Sequence, residues 1–282
     1  MKFYVRGDCH GDFDWLERHF SVNELSDTAV IILGDAGFNF HLDKRDRELK
    51  KFVEKYECYI YCVRGKHEAR PQHLDSVEYI FDKTVDGWVM YEPEFPHIRY
   101  FLDYGIYDID GYKCLVIGGA YSVDKWWRLR SAGVRDKLDK NYFNAKRTGW
   151  FSDEQLTEAE MRNCERIIAE PDDKFDFVFT HTCPLSYQPT DLFLGSVDQS
   201  TVDSTMEKWL EEIAHKITVK YAWCFGHYHA DRLERPHVEQ YFDDIEKLDS
   251  IKERWVRYDE TEELDWYLVK SPFFYFDFPK NS

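Results

Sequence analysis

Long apolar stretches are missing from this 282-residue chain. Its longest uninterrupted apolar runs reach about five residues, as from Ala29 to Leu33, whereas a membrane-spanning helix needs roughly 20. The opening Met1-Lys2-Phe3-Tyr4-Val5-Arg6 passes straight into a Gly-Asp motif, so no signal peptide is expected. Positive charge is scarce as well. Lys and Arg number 37 against 54 Asp and Glu, a formal charge of −17. A chain that acidic repels a phosphate backbone, so neither a membrane nor a long nucleic acid is expected as a partner. A local site can still accept phosphate if metal ions supply positive charge. The seven cysteines (Cys9, Cys58, Cys62, Cys114, Cys164, Cys183 and Cys224) are scattered, and none pairs in the Cys-x-x-Cys spacing of a zinc knuckle. Buried reduced thiols in a cytoplasmic protein are the expectation. Fixed-period repeats, low-complexity tracts and Gly/Ser-rich linkers are absent too. One domain over residues 1–250 is expected, with 251–282 as a C-terminal extension of charged and aromatic residues packed on it.

What the chain does have is material for a core: 43% hydrophobic residues and 17% aromatics, which excludes intrinsic disorder. It also has a recurring local pattern, a short strand-length apolar run that stops at Gly or Thr next to Asp or His. Phe3 to Arg6 leads into Gly7-Asp8-Cys9-His10-Gly11, and Val30 to Leu33 into Gly34-Asp35-Ala36-Gly37. Tyr59 to Val63 leads into Arg64-Gly65-Lys66-His67-Glu68, and Cys114 to Ile117 into Gly118-Gly119. Phe175 to Phe179 ends in Thr180-His181, and Tyr221 to Phe225 in Gly226-His227-Tyr228-His229.

These six runs read as buried strands. Helical spacing alternates with them: Phe13, Leu16 and Phe20 share one face, as do Met206, Trp209, Leu210 and Ile213. Ser152-Asp153-Glu154-Gln155 reads as a capping box that opens a helix running to about Ala169. The stretch from Asp86 to Asp110 reads as hairpins. Alternating strands and helices imply an α/β sheet, whose ligands sit beyond the carboxyl ends of the strands.

Each motif alone is weak, since a Gly-flanked Asp is most often a turn and a lone His a satisfied polar residue. Five of the eleven histidines, however, follow directly on strand ends together with two aspartates. Carboxylates and imidazoles without a thiolate pattern suit Mn²⁺, Fe or Zn²⁺. Two such ions can clamp the attacking and leaving oxygens of a displacement at phosphorus.

In their order, these motifs resemble those of the calcineurin-like metallophosphoesterases, of bacterial or phage type. The Asp-Arg-Gly that follows the second motif in the eukaryotic protein phosphatases is absent. The resemblance implies a four-layer α/β/β/α sandwich with mixed sheets and a dinuclear metal centre, with manganese as the expected ion. It implies that Asp8, His10 and His229 hold one ion, that Asp35 bridges both, and that His181 and His227 hold the second. His67 would act as acid or transition-state stabiliser, and Glu68 would orient its loop. The implied reaction is hydrolysis of a phosphate mono- or diester by metal-bound hydroxide, on a phosphoprotein, a nucleotide or a small phosphodiester.

Lys66 departs from the family's pattern, which has Asn there. An ammonium has three donors and no acceptor, so a protonated Lys66 cannot be a ligand. The expected consequences are a weakened or empty second site, or a Lys66 turned outward. A non-catalytic phosphate- or nucleotide-binding protein of the same fold is the alternative. Tyr121, Lys125 and Arg128 follow the fourth strand end and are candidates for substrate contact, against the alternative of a solvated basic loop. Arg64 has two candidate partners, phosphate or a buried carboxylate. The Trp126-Trp127 pair reads equally as core or as a stacking platform.

Overall fold

A computed structural model describes residues 1–168, 174–193, 195 and 198–261. Among the described residues, thirteen strands form two mixed sheets: β1 (Lys2–Arg6), β2 (Thr28–Ile32), β3 (Tyr59–Cys62), β4 (Glu78–Asp82), β5 (Gly87–Glu92), β6 (Phe95–Phe101), β7 (Tyr104–Ile109), β8 (Tyr112–Ile117), β9 (Lys174–Thr180), β10 (Thr218–Phe225), β11 (Arg232–Arg235), β12 (Val238–Gln240) and β13 (Ile245–Lys247). The first sheet has the order β13-β1-β2-β3-β6-β5-β4 and the second β11-β12-β10-β9-β8-β7. All six strands expected from the apolar runs are present. They form two parallel triplets, β1-β2-β3 and β10-β9-β8. The Asp86–Asp110 stretch folds into strands, with β5 and β6 as an antiparallel pair and β7 pairing back onto β8.

Parallel strands covered on both faces should read as nearly continuous apolar runs, and side-chain alternation sorts each run into two layers. Ala29, Ile31 and Leu33 join Val116, Phe177, Phe179 and Cys224 in the cluster between the sheets. Val30 and Ile32 face outward onto Trp15, Leu16 and Val53, carried by the helices Trp15–His19 and Lys44–Glu54. On the far side Leu115, Ile117 and Val178 pack against Met161 and Cys164 of the helix Glu158–Ile167, and against Met206, Leu210 and Ile213 of the helix Thr205–Ala214. The result is the four-layer sandwich that the resemblance implied. A helix Leu248–Thr261 contributes Leu248, Ile251 and Trp255 to the central cluster. Residues 262–282 of the expected extension lie outside the described residues, as does Ala169.

The capping box expected at Ser152 is corrected. It forms at Thr157, whose hydroxyl accepts from the Glu160 N–H while the Glu160 carboxylate accepts from Thr157 N–H at 2.7 Å. Helix cannot start earlier because the carbonyls it would use are taken. Asp153 and Gln155 carbonyls accept from Arg70 Nη2 (3.0 and 2.8 Å), and the Glu154 carbonyl accepts from Arg64 Nη1 (2.8 Å). The Asp153 carbonyl also accepts from Arg70 Nε (3.1 Å) and the Glu154 carbonyl from Ala120 N–H (3.2 Å), so both lone pairs of each are used and neither can join a helical ladder.

All seven cysteines are free and buried. Among the described residues, no helix is long and apolar enough to cross a membrane.

Candidate metal centre

Because each triplet is parallel, the carboxyl ends of β1, β2 and β3 lie together at one edge, as do those of β8, β9 and β10. The two edges are joined by hydrogen bonds from one sheet to the other. Asp8, just after β1, accepts at Oδ1 from the backbone N–H of His227 beyond β10 (2.7 Å). His181, just after β9, donates from Nδ1 to the carbonyl of Leu33 beyond β2 (2.8 Å). Side chains from both sheets are thereby drawn into one place.

The glycines of the motifs make the approach feasible. A Cβ at Gly34, which has φ +97°, would collide with the His181 ring, and one at Gly65 would collide with the Asp35 carboxylate. Four candidate ligands themselves sit at positive φ: His10 (46°), Asp35 (48°), His227 (71°) and His229 (53°). Non-glycine residues there are strained, and such residues cluster at functional sites.

Two groups of ligand-type atoms result. In the first, Asp8, His10 and His229 converge. The Nε2 atoms of His10 and His229 are 3.0 Å apart, and Asp8 Oδ2 is 3.3 Å from His229 Nε2 and 3.6 Å from His10 Nε2. Two metal–nitrogen bonds of about 2.1 Å meeting near a right angle span such a separation. Asp8 Oδ2 is buried without a hydrogen-bond partner, a costly arrangement for a carboxylate unless a cation compensates it. This group fits a divalent ion. The ring of His229 is held from behind by Phe242, stacked at 4.7 Å.

The second group is Asp8, Asp35 and His181, with His227 against the His181 ring at a centroid distance of 5.0 Å. Donation from Nδ1 to Leu33 orients the ring, and an ion would find Nε2 facing it, the usual outer support of a metal-binding histidine. Burial would lower the His181 pKa, but Asp35 and Asp8 raise it above its ordinary value, so without an ion the ring carries charge. That Nε2 and His227 Nδ1 are both buried with no hydrogen-bond partner. Lys66 differs from the residues around it. Its Nζ points inward, 2.7 Å from Asp35 Oδ2, and the residue is 5% exposed. The outward-turned Lys66 is thus not what forms.

Charge explains the protonation states. Burial alone would raise the Asp35 carboxyl, but Lys66 and His181 outweigh it and hold the group well below the usual carboxylate range. Asp8 is held down in the same way, with His181 and His229 opposing burial. Burial would lower the Lys66 pKa, yet Asp35 and Asp8 raise it above its ordinary value, so the ammonium persists. His67 is driven well below its ordinary value by burial, and further by Lys66.

His67 lies at the rim of the centre, its backbone N–H donating to Asp35 Oδ1 at 2.7 Å. Arg128 Nη2 is 3.3 Å from His67 Nε2. A guanidinium can only donate, so the ring carries its proton on Nδ1, which is buried without a partner. Arg128 is braced by Asp124 (2.7 Å) and the Gly149 carbonyl (3.2 Å). Glu68 accepts from Gly65 N–H at 2.6 Å and shapes the loop.

The remaining candidates sit elsewhere. Arg64 pairs with Asp103, a buried carboxylate, and so is not directed at the centre. Tyr121 is buried. Lys125 Nζ lies 4.2 Å from the Trp150 ring centroid and 5.9 Å from that of Tyr121, a cation–π arrangement inside its own lobe. Trp126 and Trp127 are exposed, at 39% and 64%, rather than core. Cys9 is buried in the outer cluster of the first sheet, away from the ligands. Leu33 and Phe242 support the site and escaped sequence reasoning. A backbone carbonyl and a loop phenylalanine carry no motif, and only the folded chain brings them to His181 and His229.

A family model described as calcineurin-like phosphoesterase matches residues 1–231. That span includes every ligand-type residue of both groups. No curated protein matches the chain.

Proposed function

Because the chain belongs to the calcineurin-like phosphoesterase family, we propose that it is a metal-dependent hydrolase of phosphate mono- or diesters. The observation that carries this reading is the convergence of Asp8, His10 and His229 around the unpartnered Asp8 Oδ2. These three would hold one divalent ion, with Mn²⁺ the expected one and Fe or Zn²⁺ suited by the same donors. Asp35, His181 and His227 are the donors for the second ion of a dinuclear centre, weakened by Lys66 in their midst. When bound, a divalent ion supplies Lewis-acid polarisation of phosphoryl oxygen and a more acidic water.

The chain's own groups do the rest. Arg128 offers a guanidinium to phosphoryl oxygens, a geometry that suits bidentate contact. A phosphate drawn to Arg128 takes it from His67 Nε2. The phosphate's negative charge also opposes the effects that hold His67 neutral, so the ring can bind a proton and pass it to the departing oxygen. Asp35 keeps the loop Gly65–Glu68 in place through its two backbone acceptor contacts, from Lys66 N–H (2.8 Å) and His67 N–H (2.7 Å). The substrate is a phosphoprotein, a nucleotide or a small phosphodiester, and the seven buried free thiols favour the cytoplasm.

Hydrolysis of p-nitrophenyl phosphate and of bis(p-nitrophenyl) phosphate, with Mn²⁺ added, tests the reading. Turnover of at least one ester is expected, and its absence with both would refute an active enzyme. The Lys66–Asp35 contact supports one second reading, a phosphate- or nucleotide-binding protein without turnover. Calorimetric phosphate binding by a protein inactive on both esters would establish it.

A further inference from the structure

We infer that the ammonium of Lys66 is the resident cation on Asp35, so that the centre takes one divalent ion per chain and presents a fixed ammonium beside it to a phosphoryl oxygen. The inference rests on the metal-dependent reading above and changes its stoichiometry.

Asp8, Asp35 and His181 come close enough to share an ion, and nothing in their residue types excludes one. What excludes it is how the Asp35 oxygens are used. Oδ1 accepts from two backbone N–H groups, those of Lys66 (2.8 Å) and His67 (2.7 Å), which fills its two lone-pair directions. Oδ2, the oxygen 3.5 Å from His181 Nε2, is bound by Lys66 Nζ at 2.7 Å. A divalent ion on that oxygen would stand at roughly 2.0–2.2 Å from it, sharing it with an ammonium. Two cations on one buried oxygen repel strongly in a low-dielectric setting.

Lys66 cannot readily yield. It is 5% exposed, and its own N–H is pinned to the same carboxylate, so an ion could enter only by turning a buried, paired ammonium out of the site. The first group does not use the Asp35 carboxylate, since its own is Asp8. An ammonium has three N–H donors. Asp35 takes one, leaving donors for a phosphoryl oxygen that a second metal would otherwise bind.

The test is metal content by mass spectrometry after equilibration with Mn²⁺ and desalting, paired with electron paramagnetic resonance. The wild-type chain should hold one ion with the hyperfine pattern of isolated Mn²⁺. Lys66→Asn, which replaces the ammonium by a neutral amide oxygen, should hold two, with the spectrum of an exchange-coupled pair. Lys66→Gln, with a longer reach, provides a second variant and should gain the second ion as well. Two ions in the wild type, or one ion in both variants, would overturn the inference and leave the phosphoesterase reading standing. No bound ion in any of the three proteins would overturn both.

Discussion

At the scale of single residues, the centre is built from unusual backbone and unusual burial. His10, Asp35, His227 and His229 hold positive φ, and Asp8 Oδ2, His181 Nε2 and His227 Nδ1 are buried without hydrogen-bond partners. Both features cost stability and neither serves packing, which is why they mark a site rather than a scaffold. The ligand-type residues were legible in the sequence, because Asp and His placed just after strands are chemically conspicuous. The direction of Lys66 was not, since inward and outward rotamers are equally compatible with Gly-Lys-His-Glu and only the Asp35 carboxylate decides between them. Arg128 was one candidate in a basic segment until the fold set its guanidinium beside His67. Arg128→Met should lower kcat/KM on a phosphate ester by about 10- to 100-fold, the worth of one charge-assisted hydrogen bond. Steady-state kinetics on folded variant protein checks this. An unchanged kcat/KM would remove Arg128 from the substrate site.

At the scale of elements, apolar runs and turn residues identified the six strands that carry motifs, because strands buried on both faces leave an unbroken hydrophobic signature. Helix starts were less legible. Ser152 and Thr157 each stand three residues before a Glu or Gln, and local sequence alone does not rank them. Arg64 and Arg70, distant in the chain, occupy the carbonyls of 153–155 and decide for Thr157. Thr157→Ala should therefore cost about 1 kcal/mol through loss of the cap, while Ser152→Ala should stay within about 0.5 kcal/mol of wild type. Urea denaturation of the two variants measures the difference, and equal losses would contradict the placement of the cap. Of the charged and aromatic extension expected over 251–282, residues 251–261 continue the helix Leu248–Thr261. Its apolar face is narrow, since Leu248, Ile251 and Trp255 are its buried residues.

At the scale of the whole molecule, two sheets place their strand ends side by side, and the centre exists only where they meet. Asp8, His10 and Asp35 come from the first sheet, and His181, His227 and His229 from the second, so the site forms only in the folded sandwich. The same burial that shapes the site tunes stability. Burial pushes the Glu207 carboxyl, which accepts from the Thr182 hydroxyl at 2.8 Å, up to about 7 from an ordinary 4.5. The native state keeps a proton that the unfolded chain sheds, so stability falls as pH rises through the window from 4.5 to about 7. Glu207→Gln, a permanent neutral analogue, should match wild type near pH 4 and exceed it by up to about 3 kcal/mol at pH 8. Melting curves at the two pH values report it, and a gain that does not depend on pH would contradict the assignment. The fold was legible because hydrophobic patterning is additive along the chain, whereas the state of the centre depends on charges from five separate strand-end loops. Metal-dependent hydrolysis is tested most directly by p-nitrophenyl phosphate turnover of chelator-stripped protein as Mn²⁺ is titrated back, with Asp8→Asn in parallel. Turnover should be near background in the stripped protein and rise to saturation with Mn²⁺, and the variant should stay more than about 100-fold lower, beyond the usual loss for an outer support of a ligand. Turnover that survives stripping, or equal turnover by Asp8→Asn, would contradict it.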